Sequence, residues 1–168
     1  GGSICSTRIQ AGSGYPGLQT LLDCSSSDFS GRVPIIADGG IRNSGDIVKA
    51  LAAGADFVML GSLLSGTEET PSDTIEVGGE TRKVYRGMAS REAQLAWRGK
   101  TSSLEGVATT VAHKGSVEHT LSDLERGIRS GLSYSGARTI EDFQSVAEFV
   151  RQTRAGTVES GTHIMRVL

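Results

Sequence analysis

Apolar positions along this chain fall into two kinds of run that alternate. Short continuous runs closed by glycine read as strands, and longer runs at three-and-four spacing read as helices. Leu18, Leu21 and Leu22 keep helical spacing behind Pro16, so a helix is predicted over 16–30 with a serine-rich end at Ser25–Ser27. The run from Arg32 to Ala37, closed by Asp38-Gly39-Gly40, has the pattern of a parallel strand buried on both faces. Asn43 or Ser44 then caps a helix through Asp46, Ile47, Val48, Ala50, Leu51 and Ala52, stopped by Gly54. A second buried strand is predicted from Asp56 to Gly61, with Ser62 leading into a short helix through Leu63 and Leu64. This β/α alternation predicts a parallel α/β fold.

The pattern changes after residue 67. Thr74–Val77 and Thr81–Tyr85 flank Gly78-Gly79, which predicts a β-hairpin. A helix is expected to open at Arg86–Ser90 and run towards Trp97, taken as its packing residue. The stretch from Arg98 to His113 lacks a clean period and reads as a mobile flap. Further helices are predicted over 117–131 and 140–150, and the tail beyond Arg154 carries no period.

Composition narrows the function classes. The chain has 168 residues and holds 23 glycines against 3 prolines, many at segment ends, which suggests tight turns and close backbone approach to a ligand. A net charge of −2 leaves no basic footprint for nucleic acid and no polybasic membrane patch. No apolar run approaches the roughly 20 residues that span a bilayer. Cys5 and Cys24 do not suggest a bridge, so a reducing, cytoplasmic setting is expected. Cys24 reads as a small apolar helix residue. His113, His119 and His163 lack metal-ligand spacing.

The candidate chemistry sits at the front. Gly1-Gly2-Ser3-Ile4-Cys5-Ser6-Thr7-Arg8 places a thiol in a glycine-rich loop beside a cation, which is what a reactive thiolate requires. Arg8 and Arg42 could support that thiolate or simply pair with Asp38 or Asp46. Glycines also close the two strands at Gly39-Gly40 and at Gly61-Ser62. In a parallel sheet all three loops share one edge, where backbone amides can grip a phosphate and Asp38 can accept from a ribose.

Several of these runs together carry a resemblance. Gly2–Arg8 with Gly12-Ser13-Gly14-Tyr15-Pro16, Ile36–Arg42 with Gly45-Asp46-Ile47, Gly54–Ser62, Tyr85-Arg86-Gly87-Met88, His113-Lys114-Gly115 and Gly127-Ile128-Arg129-Ser130 are similar in order and spacing to the IMP dehydrogenase/GMP reductase family. The resemblance implies a single partial catalytic domain over 1–168. This would be the C-terminal portion of a (β/α)8 TIM barrel, with the last two barrel strands, a hairpin, a flap and closing helices. The six earlier barrel strands would be absent.

The resemblance also implies roles. Cys5 would be the nucleophile on C2 of a purine nucleotide. Ser3, Gly39, Gly40, Gly61, Ser62 and Tyr85 would hold its phosphate, Asp38 its ribose, and Gly87 and Met88 its base. Backbone carbonyls of Gly2 and Cys5 would form an incomplete monovalent cation (K+) site. The dehydrogenase branch carries Arg-Tyr on a long flap, whereas no tyrosine lies between Met88 and Lys114. Thr7 and Glu105 match the ammonia-releasing relay of the reductase branch, although many dehydrogenases also carry that glutamate. The tail around Glu159 is more similar to the dehydrogenases. The resemblance therefore favours an NADPH-dependent GMP reductase. The alternatives are an NAD-dependent IMP dehydrogenase and a catalytically dead nucleotide-binding fragment. A homotetramer is implied for the full-length protein. No Gly-x-Gly-x-x-Gly fingerprint lies between a strand and a helix.

Overall fold

The computed structural model describes residues 1–27, 33–102 and 106–162. It is an α/β fold in two sheets. Strands β1 (Ile36–Asp38) and β2 (Phe57–Met59) pair in parallel, with Ile36 opposite Phe57, Ala37 opposite Val58 and Asp38 opposite Met59. Helix α3 (Ser44–Ala52) joins them, preceded by α1 (Thr7–Ala11) and α2 (Gly17–Ser25). A three-stranded antiparallel sheet follows in the order β3 (Thr74–Val77), β4 (Glu80–Arg86), β5 (Ala108–Ala112). The remaining helices are α4 (Arg91–Arg98), α5 (Val117–Tyr134), α6 (Ile140–Val146) and α7 (Arg154–Glu159).

Local chemistry sets these boundaries. The Asn43 side chain accepts from the Asp46 N–H at 2.9 Å, satisfying an orphan donor at the start of α3. Ile47, Ala50 and Leu51 then point inward at helical spacing. Ile47 and Leu51 meet Leu124 of α5 and Phe143 of α6 in the main core. Gln144 fastens α6 by donating from Nε2 to the Leu51 and Ala55 carbonyls at 3.1 and 3.2 Å. Helix α5 lies close on α3 because its facing positions are glycines. A Cβ on Gly127 would run into Ser44, and one on Gly131 would lie 2.7 Å from Val48 Cγ2.

Several expectations are corrected. The two strands are covered on one face only: Ala37 and Val58 pack beneath α3, while Ile36, Phe57 and Met59 are 53–60% exposed on the other. The short helix expected at Leu63-Leu64 is a series of turns, closed by three-residue backbone bonds from Leu64 to Gly61 and from Thr67 to Leu64 and shared with side-chain hydroxyls. The stretch read as a flap contains β5, which pairs Ala108 with Arg86 through to Ala112 with Arg82. Trp97 does not pack its helix; it is 69% exposed, with the Arg98 guanidinium 4.4 Å from the ring centre. Cys24 lies on α2 as expected but is exposed. Arg42 pairs with Asp46 at 3.0 Å. Among the described residues no helix is long and apolar enough to cross a membrane.

Candidate active site

The loop at residues 1–6 is the hub on which the other site segments converge. Its first contact is with the turn after β1. Gly39 has φ +97, and a Cβ there would lie 3.0 Å from the Gly1 carbonyl carbon and 3.2 Å from Gly2 N. Only glycine lets those two backbones lie so close. Next, the Ser3 hydroxyl sits 3.2 Å from the Tyr85 hydroxyl at the end of β4. Tyr85 in turn stands over Gly61 after β2, where a Cβ would be 3.8 Å from the phenol oxygen. Ile4 faces Gly87, whose N–H donates to the Val107 carbonyl at 3.0 Å. Finally, the Ser6 hydroxyl accepts from the Gly106 N–H at 2.7 Å. Residues from four separate stretches of sequence thus converge on the loop that carries Cys5.

That thiol is Cys5, and it is exposed. The Cys5 N–H closes a turn onto the Gly2 carbonyl at 3.1 Å. Helix α1 begins directly after it, so the first-turn donors face the sulfur. The Thr7 backbone N–H, then the Thr7 hydroxyl, hold the thiol below its ordinary value, with a further contribution from the Arg8 N–H. Arg8 therefore acts on the thiol through its backbone, while its side-chain stem lies against Gly14. The result is a sulfur readily ionised and open to a ligand.

A cleft of about 650 Å³ opens beside this hub, lined in part by Asp38, Gly39, Gly40, Gly1, Arg8 and Tyr15. Asp38 closes β1 with its side chain exposed there. Outside the strand ladder, the N–H groups of Gly40, Gly61 and Ser62 make no backbone hydrogen bond among the described residues, and amides at such turns can serve an anion. Met88 is 77% exposed, next to Gly87. Glu105 lies outside the described residues. No group of His, Cys, Asp or Glu among the described residues could hold a metal ion.

Sequence reasoning missed three contributors. Ser6 ties the hub to Gly106. Lys83 is buried and donates from Nζ to the Glu68 and Thr70 carbonyls at 3.0 and 2.7 Å. Lys114 donates to the Ser62 and Leu63 carbonyls at 3.2 and 2.9 Å. The period of two in β4 offered a signal, since it puts Lys83 on the same face as Tyr85.

A parallel strand pair with glycine turns at its carboxyl ends, beside a loop that carries an exposed thiol, defines an α/β domain. The family model for the IMP dehydrogenase / GMP reductase domain matches residues 1–163, and the chain belongs to that family. It is 47% identical to an inosine-5'-monophosphate dehydrogenase from Nitrosopumilus maritimus over 96% of this chain and 37% of that protein. It is 45% identical to a GMP reductase from Leishmania major, over 96% of this chain and 35% of that protein. Among solved structures, a GMP reductase variant from Trypanosoma brucei in complex with guanosine 5'-monophosphate superposes with a TM-score of 0.90 at 48% identity. That match covers 96% of this chain and 34% of the other. The chain thus spans little more than a third of the length of these relatives.

Proposed function

We propose that this chain is the nucleotide-gripping, nucleophile-bearing part of a GMP reductase-like oxidoreductase, with β1 and β2 as the last two strands of a (β/α)8 barrel. The observation that carries the reading is the exposed, activated Cys5 set among the Gly39, Gly61 and Gly87 turns. In this reading Gly39, Gly40, Gly61, Ser62, Ser3 and Tyr85 grip the 5'-phosphate of GMP, and Asp38 takes the ribose hydroxyls. Gly87 and Met88 lie against the base. The Cys5 thiolate adds to C2 of the purine, and the C2 amino group leaves as ammonia after taking a proton through Thr7 and Glu105. A nicotinamide cofactor, NADPH, would supply a hydride to C2, and the C2–sulfur bond would then break to release IMP and return the Cys5 thiolate.

The open sulfur leaves room for such a cofactor to approach. A monovalent cation such as K+ would be held by the carbonyls of Gly2 and Cys5. The Gly2 oxygen accepts from Cys5 and keeps a lone pair. The full-length protein would work as a tetramer in the cytoplasm.

Thr7 beside the thiol, and the absence of tyrosine between Met88 and Lys114, favour the reductase. The second reading, an NAD-dependent IMP dehydrogenase, is favoured by the comparable identity to relatives of that name. The test is to incubate the full-length protein carrying this sequence with GMP and NADPH. Consumption of NADPH with release of IMP and ammonia supports the reductase. Reduction of NAD with IMP alone transfers the reading to the dehydrogenase, and turnover of neither pair overturns both.

A further inference from the structure

After β2 the chain turns at 61–70 instead of entering a helix, and many of its carbonyls accept from side chains. Ser65 Oγ donates to the Ser62 carbonyl at 2.9 Å, and Thr67 and Thr70 both donate to the Leu64 carbonyl, at 2.9 and 2.6 Å. Two lysines grip the same segment from its two ends. Lys114 takes the carbonyls of Ser62 and Leu63, and Lys83 takes those of Glu68 and Thr70. The backbone adds a zip: Lys114 N–H donates to Gly66 at 2.8 Å, and Glu68 N–H to Gly115 at 2.9 Å.

Lys83 is the costly member of this arrangement. Its side chain sits in a residue only 3% exposed, and burying an ammonium is unfavourable unless its protons find acceptors. A valine would fill a sheet face without that cost. What a valine could not do is reach across to a segment 13–15 residues earlier in the chain. Lys83 also lies two residues before Tyr85, on the same face of β4. One side chain therefore links the turn that carries Gly61 and Ser62 to the strand that carries the Tyr85 hydroxyl.

We infer that Lys83 and Lys114 are positioning residues that hold the 61–70 turn by its carbonyls and so preset the Gly61–Ser62 loop and Tyr85 for a phosphate. This rests on the nucleotide reading of the site. Neither lysine touches the ligand. Their effect is felt through the loop amides and the phenol, so it falls on the phosphate and leaves the base alone.

The experiment measures GMP and guanosine binding to the full-length protein, wild type against Lys83→Met and Lys114→Met. Each substitution is expected to lower GMP affinity about tenfold, the size of a lost charge-assisted hydrogen bond, while guanosine affinity stays unchanged. Lys114→Arg, which keeps the donors, is expected to retain the wild-type preference for the phosphorylated ligand. Should Lys83→Met fail to fold, Lys114→Met decides alone, because the Lys114 residue is exposed. A folded Lys114→Met with the wild-type preference overturns the inference. So does an equal loss for nucleotide and nucleoside, which would mark a general structural role. A wild-type protein that gains nothing from the phosphate overturns the nucleotide reading itself, and the inference with it.

Discussion

The hydroxyls of Ser3 and Tyr85, 82 residues apart in sequence, lie 3.2 Å from each other. Either can donate, so the pair has a free proton or lone pair to turn towards a ligand oxygen. Tyr85→Phe and Ser3→Ala are each expected to weaken GMP binding by about five- to tenfold, within the range for an ordinary hydrogen bond. Because the two hydroxyls act as a unit, the double variant should lose less than the product of the single losses. Titration calorimetry on the four proteins checks this, and strictly multiplicative losses would mean the hydroxyls act separately.

The chemistry of Cys5 depends on Thr7 more than on any cation. The Thr7 N–H and hydroxyl favour the thiolate, so the folded thiol ionises at lower pH than a free one. Thr7→Val removes the hydroxyl and keeps the shape. The thiol value must then rise, the thiolate fraction at neutral pH must fall, and alkylation by iodoacetamide at pH 7 should slow severalfold. The pH at which alkylation reaches half its maximal rate should move upward. An unchanged profile would assign the activation to the backbone amides alone.

Ser6 is the residue that joins the thiol loop to the segment behind Glu105. Its hydroxyl does not cap α1; it accepts from Gly106 N–H at 2.7 Å. Ser6→Ala leaves that amide without its acceptor. Hydrogen exchange at Gly106 is expected to speed up about fivefold, with the exchange of α5 unchanged. If the Gly106 segment works with Cys5, turnover should fall in the same variant.

The parts of this fold that could be read from sequence are those where several local signals agree. For α3, the Asn43 cap, the Ile47–Ala50–Leu51 spacing and the stop at Gly54 all point one way, and the helix lies where they put it. Strand β5 gave no such agreement. Ala-Thr-Thr-Val-Ala is too short and mixed to show a period, and it is a strand because β4 lends it partners, including Arg82 Nε donating to Thr110 Oγ1 at 2.9 Å. Helix α1 is five residues with no buried side chain, ended by Gly12 in the left-handed conformation. The exposed outer residues Ile36, Phe57 and Met59 were unreadable for another reason. An apolar strand looks the same whether or not anything covers its second face. At the site, the glycines announced themselves by type. Ser6, Lys83 and Lys114 did not, since a serine or lysine in a polar stretch reads as solvated until its acceptor is known.

The α3–α5 contact makes a stability prediction. Gly131→Val would bring its Cβ to 2.7 Å from Val48 Cγ2 and 2.8 Å from Cγ1, so one helix must move. Overpacking of this kind costs about 1–3 kcal/mol. The gain from replacing a helical glycine, at most about 1 kcal/mol, does not offset it. Ser130→Ala on the same helix should be neutral or slightly stabilising. Urea denaturation of both variants checks the difference.

Glu69 links the 61–70 turn to α5 and gives the contact its pH dependence. Its carboxylate accepts from the Val117 N–H at 2.8 Å and from the Ser116 hydroxyl at 3.2 Å, occupying the N-terminus of the helix. Its own backbone N–H first, and then that of Val117, hold Glu69 below the usual glutamate range. A carboxyl whose folded value lies below its unfolded one stabilises the fold above the unfolded value, and that stabilisation fades as pH falls through the folded value. Thermal midpoints should therefore fall below about pH 4.5 more steeply in the wild type than in Glu69→Gln, which has no proton to take up. At neutral pH Glu69→Gln should melt a few degrees lower, because the charge at the helix start is gone. Parallel pH profiles for the two proteins would remove Glu69 from the acid response and leave the Ser116 cap to hold α5 by itself.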